Sequence, residues 1–183
     1  MQTQKKVSAN ITKLLNEQTF SFSPAGLAAI HGRIFEGVFK FAGPYRNCNI
    51  SKKEWGLRGE SVLYVSFAEL KQALQHDFDL EKEFSCKNLV PDDMISHFAK
   101  FISGIRQIHP FREGNTRTTA VFAIKYLRAW VSLSATIFLL NTPGTFAMPL
   151  FEQITATVQN ILNLKSGTSR CFSAICCWEK TTS

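Results

Sequence analysis

Apolar positions recur with a helical period along most of this chain. Phe98, Phe101, Ile102 and Ile105 share one helical face, as do Ala120, Ala123, Ile124 and Leu127. Residues 7–17 read as a short amphipathic helix. Ser23-Pro24 forms an N-cap and first-turn pair, opening a helix to about Phe41 that Gly43-Pro44 stops. Residues 47–65 carry Gly56 and Gly59 and the strand-like run Val62 to Val65, which predicts a small hairpin. Ser66 and Glu69 are spaced as a capping box for a helix to about Leu80, and Pro91-Asp92-Asp93 opens another that reaches Ile108. The expected fold is mainly α, a helical bundle with one β-hairpin.

Between the last two apolar faces stands His109-Pro-Phe-Arg-Glu-Gly-Asn-Thr-Arg117. A base with a pKa near neutrality can take a proton from a hydroxyl. A carboxylate beside phosphates suits Mg²⁺, which takes one or two carboxylates and completes its shell from phosphate oxygens and water. Gly114-Asn115 allows backbone N–H groups to turn inward at the start of a helix, where an anion is favoured. Arg117 can fork onto phosphate oxygens. The bland alternative is a turn before proline with Glu113 favouring a helix start.

HPFREGNTR resembles the signature of the Fic (Fido) proteins, His-x-Phe-x-(Asp/Glu)-Gly-Asn-Gly-Arg-x-x-Arg. Upstream, SPAGLAAIHGRIFEGVFKFAGPYR (residues 23–46) is similar to the family's helix and Ala-Gly-x-x-Arg turn, and Asn49-Ile-Ser-Lys52 to the entry of its β-hairpin flap. The resemblance covers about residues 8–128. It implies a protein adenylyltransferase that moves AMP from ATP to a Ser, Thr or Tyr hydroxyl of a target protein and releases pyrophosphate. By the same resemblance His109 is the general base, Phe111 an apolar anchor and Glu113 the Mg²⁺ ligand. Gly114, Asn115 and Thr116 supply the anion nest, and Arg117 grips the outer phosphates. Lys52 and Lys53 lie where the flap approaches nucleotide and target, or are a solvated basic pair.

Two signature positions depart from the pattern. Thr116 replaces a glycine, and Ala120 replaces the final arginine, which in the family helps hold the γ-phosphate and partners an inhibitory glutamate. The inhibitory motif (Ser/Thr)-x-x-x-Glu-(Gly/Asn) is missing; the nearest string, Gly32 to Gly37, has Gly where a hydroxyl is required. Restraint is then expected from a separate antitoxin-like chain or a C-terminal helix. The second functional class is a catalytically impaired domain that binds nucleotide or protein.

A chain of 183 residues with 45% hydrophobic and 19% charged residues is one globular domain. The polar N-terminus lacks a signal-peptide pattern and no apolar run reaches membrane-span length. Five irregularly spaced cysteines fit reduced thiols, so the expected location is cytoplasmic. The net charge of +7 is spread over scattered lysines and arginines, which argues against a nucleic-acid partner.

Beyond Arg128 the composition changes. Residues 129–183 hold five of the chain's 35 charged side chains, and helical periodicity blurs. Asn141-Thr-Pro-Gly144 breaks any helix begun at Ala129. Back-translating residues 129–182 and reading each codon one nucleotide earlier permits a string containing WYFRNALVRANY and KKWYFEVFFSNLLLGENH, which resembles the family's final helices. The expected organisation is therefore a core at 1–128 and, at 129–183, a frameshifted read of the last helices; the alternative is a lineage-specific tail. Phe122 and Tyr126 would then need another cover.

Overall fold

The computed structural model describes residues 2–53, 61–85 and 91–141; at residues 52–53, 61–63, 91 and 131–141 the description covers the backbone. Along the chain run α1 (Gln2–Asn16), α2 (Pro24–Ile34), β1 (Ser51–Lys53), β2 (Ser61–Leu63), α3 (Leu70–Glu83), α4 (Pro91–Ile108) and α5 (Asn115–Asn141). The fold is helical, as the periodicity predicts. β1 and β2 pair antiparallel, with Lys52 opposite Val62 and Lys53 opposite Ser61. Gly56, Gly59, the break at residues 142–144 and four of the cysteines lie outside the described residues.

Helix boundaries differ from expectation in instructive ways. α2 starts as predicted: Ser23 Oγ accepts the Gly26 N–H at 2.9 Å and Pro24 occupies the first turn. It ends at Ile34, well before Phe41, because Gly37 takes φ +65° and turns the chain. The predicted capping box at Ser66 does not form. Residues 66–69 make a backbone turn, Glu69 N–H to Ser66 C=O at 3.1 Å, and α3 begins after it without a side-chain cap. α1 begins at Gln2, earlier than the expected residue 7.

α2 lies against both α1 and α5, while α3 pairs with α4 and α4 with α5. Phe98, Phe101, Ile102 and Ile105 are buried as their spacing requires. Phe122 and Tyr126 are not orphaned. Phe20 and Phe22, in the segment before α2, reach across to them: Phe22 stands 4.5 Å from Tyr126 and Phe20 5.4 Å from Phe122 between ring centroids. Phe78 of α3 and Phe101 of α4 close the cluster, and Trp130 packs on its edge. Among the described residues, the cover comes from this N-terminal aromatic segment together with Phe78, Phe101 and Trp130. The fully buried rings of Phe78 and Phe122 each contribute about 1.5–3 kcal/mol.

α5 also anchors α1 by its end. Lys125 Nζ donates to the carbonyls of Leu14 (2.9 Å) and Glu17 (2.7 Å), and Arg128 Nη1 donates to Leu15 C=O at 2.7 Å. Two cations thus satisfy carbonyls that a helix C-terminus leaves without partners. Among the described residues, every buried side-chain nitrogen and oxygen has a partner.

Candidate active site

The signature occupies the α4–α5 connection. α4 ends where His109 takes φ +53°, a left-handed backbone uncommon outside glycine. Strain of this kind persists when its surroundings over-determine it, and here they do. Arg46, 3% exposed, donates Nε to His109 C=O at 2.9 Å, Nη1 to Cys48 C=O at 2.8 Å, and Nη2 to Ile108 C=O at 3.3 Å and to Val65 C=O. Its backbone N–H donates to Pro110 C=O at 2.9 Å. One buried guanidinium thereby gathers the carbonyls at the end of α4 and holds the backbone that presents His109. The His109 ring is half-buried and stacks on Tyr64, 4.1 Å between centroids.

Phe111 then turns inward and is 1% exposed, the anchor expected of it. Asn115 locks it: Oδ1 accepts the Phe111 N–H at 2.8 Å and Nδ2 donates to Phe111 C=O at 2.7 Å. The Asn115 side chain is therefore committed to closing the loop, and its contribution to an anion nest is its backbone N–H. Gly114 sits at φ +79°, where a Cβ would stand 2.3 Å from two ring carbons of Phe35. Conformation and space both demand glycine there.

α5 begins at Asn115, and Thr118 N–H and Oγ1 both bond to Gly114 C=O at 3.0 Å. The N–H groups of Asn115, Thr116 and Arg117 thus belong to the first turn, which lacks intrahelical acceptors and carries the positive end of the helix dipole. Thr116 adopts helical backbone, so its place needs no glycine. Glu113 is exposed; its Oε1 accepts the Gly114 N–H at 3.2 Å. Arg117 lies over the Phe35 ring with its guanidinium carbon 4.8 Å from the centroid. Ala120 is 4% exposed in the core and brings no charge to the loop.

The structure brings His109, Glu113, Gly114, Asn115, Thr116 and Arg117 together at one loop-to-helix junction. Lys52 and Lys53 stand on β1, in the hairpin that leads to Tyr64. Among the described residues no three His, Cys, Asp or Glu side chains cluster as a metal cage. A single exposed carboxylate beside the open first turn of a helix is compatible with Mg²⁺, which draws most of its ligands from phosphates and water.

Sequence reasoning missed His31, Phe35 and Tyr64, and placed Arg46 in the Ala-Gly-x-x-Arg turn without giving it a role. His31 is fully buried on the α2 face that also carries Leu27, Ile30 and Ile34, and a polar residue inside an apolar stripe was the available signal. Burial pushes its imidazole below the ordinary histidine range, with the Arg117 charge acting in the same direction, while its bond to the Glu113 carbonyl opposes the shift.

No helix among the described residues is long and apolar enough to cross a membrane. A protein adenylyltransferase of Bartonella henselae is 27% identical over 110 residues, 55% of this chain; the match spans 20% of that relative's length. The BepC effector of Bartonella tribocorum, solved with bound AMPPNP, superposes with a TM-score of 0.57 at 20% identity, covering 84% of each chain. The N-terminal Fic domain of a VirB-translocated Bep effector of Bartonella quintana, with bound ADP, gives 0.58 at 15% identity over 96% of this chain and 86% of that one. The family model described as Fic/DOC matches residues 21–127. Spanning more than half of the sequence and the entire loop-to-helix junction, that match shows that the chain belongs to the Fic/DOC family.

Proposed function

We propose that this protein transfers AMP from ATP to a hydroxyl side chain of a target protein. The observation that carries the reading is the junction itself: a presented imidazole, an exposed carboxylate and the open first turn of α5 within nine residues. Membership of the family and the resemblance to a protein adenylyltransferase support the same reaction class.

The residues divide the work as follows. The first-turn N–H groups of α5 and Arg117 bind and orient the phosphates, and Glu113 would hold a Mg²⁺ ion. Such an ion would supply neutralisation of phosphate charge. His109 accepts the proton of the target's Ser, Thr or Tyr hydroxyl as its oxygen bonds to the α-phosphorus. The bond from that phosphorus to the β-phosphate bridging oxygen breaks, and pyrophosphate leaves with the electron pair. Positioning and electrostatics account for most of such a catalysis. Lys52 and Lys53 belong to the strand that approaches the acceptor. A separate antitoxin-like chain would supply the restraint that the sequence lacks.

The test is pyrophosphate release from Mg·ATP with and without protein acceptors, alongside calorimetric binding of the same nucleotide. Acceptor-dependent release supports transfer. Ala120 favours a second reading, a nucleotide-binding domain impaired in transfer, because no arginine stands there to grip the γ-phosphate. Saturable binding without release would select it, and absence of both would refute the two readings together.

A further inference from the structure

We propose that His31 is the positioning residue of the phosphate loop, acting through a single tautomer that ties the Glu113 carbonyl to the Gly43 turn. Nδ1 of His31 receives the Gly43 N–H at 2.9 Å, so that nitrogen carries a lone pair and no proton. The ring's proton is therefore on Nε2, which faces the Glu113 carbonyl at 3.1 Å and donates to it. The imidazole lies flat on Phe111, 3.9 Å between centroids and 4° between planes, so it can neither tilt nor swing away. His31 is fully buried.

The consequence is a loop gripped at both ends by one turn. Arg46 holds the carbonyls of Ile108, His109 and Pro110 at its start, and Gly43, three residues earlier, holds Glu113 at its end through His31. Fixing the Glu113 carbonyl sets the peptide plane that precedes Gly114, and with it the direction of the Gly114 N–H and of the Glu113 side chain. This inference rests on the reading of the junction as a Mg·nucleotide site, and its structural half is measured without nucleotide.

Gln and Asn separate the two bonds. The Gln amide nitrogen stands as many bonds from Cβ as His Nε2, so His31→Gln keeps the donor to Glu113. The Asn carboxamide matches Nδ1, so His31→Asn keeps the acceptor for Gly43 and loses the tether. In the protein without nucleotide, ¹⁵N spectra of wild type should show Nε2 protonated, and amide exchange at Phe111 and Thr118, whose N–H groups are bonded within the loop, should quicken about fivefold to tenfold in His31→Asn but not in His31→Gln. Affinity for Mg·ATP should fall by a similar factor in His31→Asn alone, with melting temperatures recorded for both variants. A proton found on Nδ1, or equal exchange in the two variants, overturns the proposal whatever the nucleotide does. If exchange behaves as stated while wild type binds no Mg·ATP, the positioning role stands and the functional reading fails.

Discussion

Asn115 pairs with Phe111 as one strand residue pairs with another, its carboxamide answering both the N–H and the C=O of the Phe111 backbone at 2.8 and 2.7 Å. The signature loop is thus closed by a side chain imitating main chain, and the aromatic anchor is held from both sides. Asn115→Ala leaves a buried donor and a buried acceptor unpaired, at a cost on the order of 2–4 kcal/mol. Asn115→Asp should fare no better, since a carboxylate would face the Phe111 carbonyl. Thermal melting checks both; an Asp variant as stable as wild type would contradict the pairing.

Gly114 is fixed by Phe35 as much as by its own backbone angle. Gly114→Ala must strain a φ of +79° and displace a ring 2.3 Å away, costing about 2 kcal/mol or more. Phe35→Leu should relieve the clash but not the strain, so a double-mutant cycle should show the pair to be less than additive. Strict additivity would mean that the ring is not the obstacle.

The helical bundle and its candidate core were legible because Phe98, Phe101, Ile102 and Ile105 repeat at 3.6 residues, and no other element satisfies that period. The loop-to-helix junction at residues 109–117 was legible because it is contiguous. His31, Tyr64 and what Arg46 bonds to were not, since each acts on the loop across many residues of sequence, and no local pattern says that an α2 histidine meets the carbonyl of Glu113. The covering of Phe122 and Tyr126 was hidden for the same reason: Phe20 and Phe22 lie about a hundred residues away, outside any periodic element. The early end of α2 could have been read from Gly37, whose position after Phe35 and Glu36 is a helix-stop pattern.

Lys125 should be the residue on which the docking of α1 most depends. Lys125→Met keeps the apolar stem and removes the donor to Leu14 and Glu17. The loss should be on the order of 1–3 kcal/mol, with amide exchange quickened in the last turn of α1 before that of α4. Uniform exchange in all helices would contradict a local tether.

Glu81 gives stability a pH dependence. It is 5% exposed, and burial pushes its carboxyl above the ordinary range, while bonds from the Tyr126 hydroxyl and His97 Nε2, both 2.7 Å, pull it back. A raised folded value means that the fold favours the protonated acid. That contribution is complete below the unfolded value of about 4.3 and is lost as pH rises through the folded one. Glu81→Gln, whose oxygen accepts from one partner while its amide donates to the Tyr126 hydroxyl oxygen or to an unprotonated His97 Nε2, should therefore gain in melting temperature relative to wild type between pH 4 and pH 7. A relative loss over that interval would reverse the sign and refute the assignment.

For the sequence after Arg128 we propose a shifted reading frame. The genomic codons for residues 129–182, read one nucleotide earlier, should encode the run containing WYFRNALVRANY. A codon series unable to give that run would establish the present tail as the gene's own.

In the proposed reaction His109 deprotonates the hydroxyl that takes AMP from ATP. Incubating the protein with Mg²⁺, target lysate and ATP labelled at either the α- or the γ-phosphate tests it most directly. Acceptor bands labelled from the α position alone, and absent with His109→Ala, are the expected result. Label carried from the γ position, or bands unchanged by His109→Ala, would contradict it.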